Sequence, residues 1–222
     1  MKIIDPHLLV QQNKEIRTSE DFMKPPTEKK GIIKHIWLFF WRRLDCAFLA
    51  LLTYCFKCDS WHASAPYSNR PYKKTVVNLV NSLAPRCVVE LGCGFGDIIY
   101  RVKAEHRYGY DIDEGAIRIA RLLHGRRVNF ICGEASSIEQ KAIDVLILVN
   151  WIHVLSPTEL ESLLLPLLPK TQFLVLDAKD PGGSSICPYK HDFAFLRNRA
   201  ERTSITPAPD EQRKFHLFKV TI

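Results

Sequence analysis

Val88-Val89-Glu90-Leu91-Gly92-Cys93-Gly94-Phe95-Gly96 is the stretch that decides how this 222-residue chain is read. A mostly apolar run opens at Cys87 and ends at Leu91, the length of a strand buried on both faces, and glycines at alternate positions follow it at once. Glycine lacks Cβ and tolerates positive φ, so this spacing predicts a tight turn whose backbone can come close to a ligand. In open parallel sheets ligands bind at the carboxyl ends of the strands, where strand order reverses, and such a turn belongs at that point.

Downstream, strand and helix patterns alternate. The sequence predicts a short helix over 97–103, a strand over 106–110, a helix over 113–123 capped by Asp113, and a strand over 128–132. A helical turn over 136–140 and a strongly apolar strand over 143–149 come next. A helix over 156–168 follows, with Ser156 as N-cap and Pro157 in its first turn, and then a strand over 172–176. Strands separated by helices of this length imply an α/β fold: a mostly parallel sheet with helices on both faces and right-handed crossovers. In the tail, 202–206 and 215–222 read as an antiparallel closing pair around Pro207, Pro209 and Asp210. Upstream, a helix is expected over 71–83, with Pro71 in its first turn.

The N-terminal part has another character. Residues 1–30 are polar, carry Pro25-Pro26 and read as a flexible arm. From Gly31 to Lys57 aromatics and Leu accumulate, with Ile33, Trp37, Phe40, Leu44 and Phe48 at helical spacing. We therefore expect a helical extension or cap over 31–70 ahead of a main domain over 71–222. The clean apolar run from Cys46 to Phe56 is well short of the roughly 20 residues a spanning helix needs. Two readings stay open: a helix packed across the main domain, or a peripheral membrane contact through 31–57 with Trp37, Phe39, Phe40 and Trp41 at headgroup depth.

The chain carries 31 Lys+Arg against 24 Asp+Glu, a net charge of +7. Its cations are dispersed in small clusters, such as Arg42 and Arg43, Arg126 and Arg127, and Arg197, Arg199 and Arg202, with acidic residues between. That is the pattern of a solvated surface, and it disfavours nucleic acid as a partner. Seven cysteines, an odd count without a signal-peptide pattern, point to reduced thiols and a cytoplasmic protein; the membrane reading of 31–57 would put it at the inner face of the membrane as a peripheral protein. Cys55 and Cys58 lack a second ligand pair and read as two packed thiols, so no metal site is expected.

Asp111 closes the second strand about 20 residues after Gly92, where a carboxylate can accept ribose hydroxyls. The third strand ends at Gly133-Glu134-Ala135. A dinucleotide fingerprint would require glycine where Asp97 stands, and a carboxylate there opposes a pyrophosphate. These segments, Val88 to Gly96, then Tyr108-Gly109-Tyr110-Asp111-Ile112-Asp113 and Gly133-Glu134-Ala135, resemble the first three cofactor motifs of class I S-adenosylmethionine-dependent methyltransferases. The resemblance runs from about Pro85 to Ile222. It implies a Rossmann-like seven-stranded sheet whose last strand is antiparallel, and S-adenosylmethionine as cofactor. It also implies a cofactor set: Gly92, Cys93, Gly94 and Gly96 under the amino-acid moiety, Glu90 supporting the loop, and Asp111 on the ribose. Ile112 would pack on adenine, Glu134 and Ala135 would border it, and Asn150 would complete the set. A broader likeness to bacterial methyltransferases associated with surface polysaccharides implies a small-molecule or glycan acceptor.

Methyl transfer is an in-line displacement, and a hydroxyl acceptor usually needs a general base or a metal. The fourth strand ends in Asn150-Trp151-Ile152-His153, which departs from the Asp/Asn-Pro-Pro-aromatic run of enzymes that methylate bases. His153 is the expected base, against the plainer reading of a histidine hydrogen-bonded beside a helix start. His191 is the alternative, on a segment over 177–192 whose Gly182-Gly183 pair suits a lid. The resemblance to some hydroxyl-methylating enzymes also offers Asp177 and Asp180 as magnesium ligands, but their spacing does not single out a metal site, and solvated loop carboxylates are commoner. Trp151, Tyr189 and Tyr72 are expected at the acceptor. Trp61, His62, Tyr67 and Arg70 form a cluster suited either to capping the site or to packing. Three functions stand open: a hydroxyl methyltransferase acting on a small molecule or glycan, a membrane-associated enzyme acting on a lipid-linked acceptor, and a non-catalytic cofactor-binding accessory.

Overall fold

The computed structural model describes residues 44, 46–63, 67–179, 187–209 and 213–222. The arm over 1–30, the aromatics Trp37 to Trp41, Asp180 and the Gly182-Gly183 pair lie outside the described residues.

Seven strands form one sheet: β1 (Cys87–Leu91), β2 (His106–Asp111), β3 (Asn129–Cys132), β4 (Ile143–Leu148), β5 (Thr171–Lys179), β6 (Ala200–Pro207) and β7 (Arg213–Val220). Their order is β3-β2-β1-β4-β5-β7-β6. The pairs among β1 to β5 are parallel, and β7 runs antiparallel to both β5 and β6. The Rossmann-like sheet and the reversed last strand are as the sequence predicts. Strand order reverses between β1 and β4, so the glycine turn after β1 stands at the switch point.

Alternation along the strands makes two cores. Val88, Val145, Ile147 and Val175 face one layer, where they meet Val76 and Val80 of helix α3 (Pro71–Asn81) and Ile117 and Ala120 of helix α4 (Glu114–His124). Val89, Leu146, Leu148, Leu174 and Leu176 face the other, against Leu160 and Leu164 of helix α5 (Pro157–Leu164). Each fully buried Leu or Ile contributes roughly 1.5–3 kcal/mol relative to exposure. Ser156 caps α5 by accepting from the Glu159 backbone N–H, and the Glu159 carboxylate accepts in turn from Ser156 N–H at 2.7 Å. Asp113 caps α4 by accepting from Ala116 N–H at 3.0 Å.

Two earlier elements need their labels for the site: α1 (46–56) and α2 (Ser60–Ala63). Leu49 and Leu52 of α1 pack with Phe95, Ala116 and Ile119, whereas Leu44 and Phe48, which the sequence places on the apolar stripe, are about half exposed. The stripe drawn through Ile33 and Phe48 therefore does not face the core within the described part of this helix.

The helix expected over 97–103 is a turn followed by a short 3-10 segment, Ile99–Arg101. The cause is a pair of diverted hydrogen bonds. Glu90 takes the Ile99 N–H at 2.9 Å, and the Phe95 carbonyl, its partner in a regular helix, lies 3.0 Å from His124 Nε2. Helix α5 also stops short of residue 168, because Pro166 has no N–H to carry the ladder forward. Cys58 is buried but Cys55 is exposed, so only one of the two thiols is packed.

Candidate functional site

The glycine turn is built by its backbone. Gly92, Gly94 and Gly96 have φ of +74°, +52° and +76°, a region that other residues enter only at a cost. The N–H groups of Gly92 and Cys93 both donate to the Tyr110 carbonyl, at 2.8 and 2.9 Å, which folds the turn back on the end of β2. Asp111 completes the anchorage: one carboxylate oxygen accepts from Gly94 N–H at 2.7 Å, the other from Asp113 N–H at 3.0 Å. Beneath the turn, Glu90 is buried and holds Ile99, and burial lifts its carboxyl to about 8. Its neighbour Asp97 is paired with Lys73 of α3 at 2.6 Å.

Two clefts flank the turn. The larger, about 280 Å³, has Asp111, Ile112, Gly133, Glu134, Ala135 and Trp151 in its wall. The smaller, about 50 Å³, is bordered by Arg70, Tyr72, Lys73, Glu90, Cys93 and Asn150. Gly92 and Trp61 line both. Ile112 is 79% exposed, an open apolar wall beside Asp111. Glu134 is exposed and accepts from the Ser136 hydroxyl.

Trp151 stands directly on the turn. Its indole N–H donates to the Leu91 carbonyl at 2.7 Å, and a Cβ built on Gly92 would lie 2.2 Å from Nε1. Glycine at 92 is thus required twice, by its φ and by the indole. The structure places Trp151, expected at the acceptor, in the larger cleft with Asp111 and Ile112, and Tyr72, expected there too, in the smaller cleft with Cys93 and Asn150. Gly96 packs against Phe130 and lines neither cleft.

The ends of β4 and β5 form a different kind of centre. Asp177 is 1% exposed, and one of its oxygens lies 3.2 Å from Arg213 Nη1. The same oxygen accepts from Asn150 N–H at 3.0 Å, while Arg213 Nη2 donates to Asn150 Oδ1 at 2.9 Å. The Arg213 guanidinium also lies 4.4 Å from the Tyr72 ring centroid, a cation–π contact. Burial raises the Asp177 carboxyl even with Arg213 beside it. Asn150 adopts φ +77° within this clamp. Only the one Asp177 oxygen is so used: Asp177 Oδ1 and Arg213 Nη1 are buried with no hydrogen-bond partner among the described residues.

The two candidate bases are buried beside this centre. His153 Nδ1 has no hydrogen-bond partner among the described residues, and burial, then Arg213, Lys179 and His191, push its pKa down to about 4. His191 Nε2 is bound to the Ile152 carbonyl at 2.9 Å. Neither histidine is among the residues lining the two clefts. Tyr189, 40% exposed, donates its backbone N–H to the His153 carbonyl.

Sequence reasoning missed the Asp177–Arg213–Asn150 clamp and the Lys73–Asp97 pair; Trp61, of the cluster it offered as a cap, lines both clefts. The one local signal was Arg213, an arginine opening a strand that continues Phe215, Leu217 and Phe218.

Residues 88–167 match the family model described as a methyltransferase domain. No curated protein matches the chain in sequence. Among solved structures, the N-methyltransferase NodS from Bradyrhizobium japonicum WM9 in complex with S-adenosyl-L-homocysteine aligns with a TM-score of 0.62 at 12% identity, covering 74% of this chain and 93% of that one. Magnesium protoporphyrin IX methyltransferase (ChlM) from Synechocystis PCC 6803 aligns at 0.54 and 18%, covering 68% and 84%. A putative RNA methyltransferase from Pyrococcus horikoshii aligns at 0.51 and 14%, covering 70% and 83%. These neighbours differ in what their names say they methylate, and at such identities the likeness is one of fold. The chain has the Rossmann-like class I methyltransferase fold, with the methyltransferase-domain pattern over residues 88–167 at the heart of its sheet.

Proposed function

We propose that the protein transfers the methyl group of S-adenosylmethionine to a small acceptor presented at the carboxyl ends of β4 and β5. The observation that carries this reading is the glycine turn, held open by Asp111 beside a cleft of about 280 Å³ with an apolar wall. A nucleoside fits that cleft: Asp111 faces it as a carboxylate, Ile112 offers an exposed apolar surface, and Glu134 and Ala135 stand at its far end. The amino-acid end fits the smaller cleft, where Arg70 and Lys73 suit a carboxylate. No phosphate-binding helix start is presented by the turn, because Asp97 occupies that position.

When bound, the cofactor supplies an electrophilic methyl group on a positively charged sulfur. The chain's own part is positional. Gly92 and Gly94 keep side chains out of the approach, Asp111 fixes the turn, and the Asp177–Arg213 pair fixes Asn150 against the turn. For a hydroxyl acceptor, such as that of a glycan, His153 is the proposed base: its Nδ1 has no partner among the described residues, and acceptor binding must raise its basicity from the value near 4 at which burial holds it. His191, tied to Ile152, is the second choice.

The test is calorimetry with S-adenosylhomocysteine, followed by label transfer from S-adenosylmethionine to pools of nucleotide sugars, glycans, lipids and RNA. Binding together with transfer to a small hydroxylated acceptor is expected. Clear affinity for a nicotinamide or flavin dinucleotide, with no heat from S-adenosylhomocysteine, overturns the reading. Binding without transfer to any pool turns it into the accessory function.

A second reading has its own observation. Leu44, Phe48 and Leu51 of the α1 region are 52%, 51% and 58% exposed at helical spacing. Such a row suits peripheral membrane contact and a lipid-linked acceptor. No helix among the described residues is long and apolar enough to cross a membrane. Sedimentation with anionic vesicles that disappears in Phe48→Glu/Leu51→Glu favours this reading, and no sedimentation removes it.

A further inference from the structure

Beside the smaller cleft, whose wall His62 shares, the segment after α1, helix α2 and the start of α4 bring together three side chains of metal-binding type: Cys58, His62 and Asp113, whose ligand atoms all lie within 4.8 Å of one another. We propose that these three residues bind a divalent metal ion of the zinc class, with its fourth position open to water.

The chemistry of the set supports this. A thiolate, an imidazole and a carboxylate are zinc ligands, and the thiolate and carboxylate together match a dication with the imidazole neutral. His62 Nε2 and Asp113 Oδ2 are 3.6 Å apart, too long for a hydrogen bond. It is close to the roughly 3.3–3.6 Å edge that nitrogen and oxygen bond lengths of about 2.0–2.2 Å give in a tetrahedron. The ligands are also held from outside. Asp113 receives Ala116 N–H on one oxygen and Asp59 N–H on the other, and its Oδ2 still has a lone pair for a metal. Close packing fixes Cys58, since a Cβ on Gly115 would lie 2.7 Å from Cys58 Cβ. Cys58 and His62 are both buried, so the ion would be largely shielded from solvent. On binding, the Cys58 thiol loses its proton to solvent and the sulfur lone pair forms the metal bond; nothing is oxidised or reduced.

Such an ion would act as a staple. It joins the 58–62 segment, and with it Trp61 on both clefts, to the cap of α4, whose Asp113 N–H already bonds Asp111. The exposed Cys55 takes no part.

Cobalt(II) titration of the full-length, reduced protein tests the site without reference to methyl transfer. The expected result is one equivalent bound, with a thiolate-to-cobalt charge-transfer band that zinc displaces. The band is lost in Cys58→Ser, weakened about tenfold or more in affinity by Asp113→Asn, which keeps the helix cap, and unchanged in Cys55→Ser. Because Cys58→Ser also changes the packing of a buried side chain, alkylation of Cys58 in the unmutated protein provides a second measurement, and zinc should slow it at least about tenfold. Absence of the band together with zinc-independent alkylation overturns the site. So does a band that survives Cys58→Ser and vanishes in Cys55→Ser.

Discussion

The two halves of the sheet's carboxyl edge are made differently. On the β1–β2–β3 side the site is backbone: three glycines at positive φ, two N–H groups on the Tyr110 carbonyl, and one carboxylate that ties the turn. On the β4–β5–β7 side it is a buried side-chain clamp, Asp177 with Arg213 and Asn150. A backbone cradle tolerates different ligand contacts as long as its dihedrals hold. A buried charge pair tolerates the loss of neither partner.

The sharpest way to break this contrast is Arg213→Ala. It leaves Asp177, 1% exposed, without its counter-charge, and breaking such a pair costs about 3–5 kcal/mol. Urea unfolding at neutral pH should show the largest loss of any single change discussed. The double variant Asp177→Asn/Arg213→Met should recover most of it, since no lone buried charge remains. If Arg213→Ala is as stable as the parent, the clamp is not holding the β4–β5–β7 side.

Gly92→Ala comes next and strikes the other half. A methyl group at φ +74° costs on the order of 1–3 kcal/mol, and it must also displace the Trp151 indole. Calorimetry should show binding of S-adenosylhomocysteine reduced by about a hundredfold or more, while the far-ultraviolet spectrum stays native. Asp111→Asn should cost less. Its amide group can accept only one of the two N–H bonds the carboxylate accepts, from Gly94 and Asp113, a loss of about 1–3 kcal/mol read as weaker cofactor binding. Equal binding by Asp111→Asn and the parent would take Asp111 out of the site.

This contrast also explains what the sequence made legible. The Gly92-Cys93-Gly94-Phe95-Gly96 turn and its Asp111 belong to adjacent elements, and glycine spacing after an apolar run is a local signal with a backbone cause. The strands followed from apolar runs for the same reason. The clamp joins Asn150, Asp177 and Arg213 across 63 residues of chain through side chains alone, and no local pattern encodes such a partnership. The helix expected over 97–103 failed on similar ground: it is undone by Glu90 and His124, one on β1 and one at the end of α4. Trp151 follows the same rule, because its partner Leu91 is 60 positions away.

The smallest effects, and the most discriminating, are in pH dependence, because the two halves pull in opposite directions. Burial holds His153 and His216 near 4, below their usual 6.5, so as pH falls from about 6.5 towards 4 the unfolded chain takes up protons that the folded one refuses, and stability is lost. Burial lifts Glu90 from 4.5 to about 8, so as pH rises between those values the unfolded chain releases a proton that the folded one keeps, and stability again falls. The windows overlap between about 4.5 and 6.5, where the two histidines outweigh the single carboxyl and the parent's stability is expected still to rise with pH, with the net slope of one proton. Glu90→Gln keeps an acceptor for Ile99 N–H and removes only the second slope. Near pH 5 it should match the parent, and by pH 8 it should be measurably more stable in urea. His216→Gln should instead remove one of the two acidic contributions, leaving His153 against Glu90 and the curve nearly flat between about 4.5 and 6.5. If Glu90→Gln is less stable than the parent at pH 8, the carboxyl is ionised and held by Lys73 rather than kept neutral by burial, and the glycine turn rests on a charge rather than on a hydrogen-bonded acid.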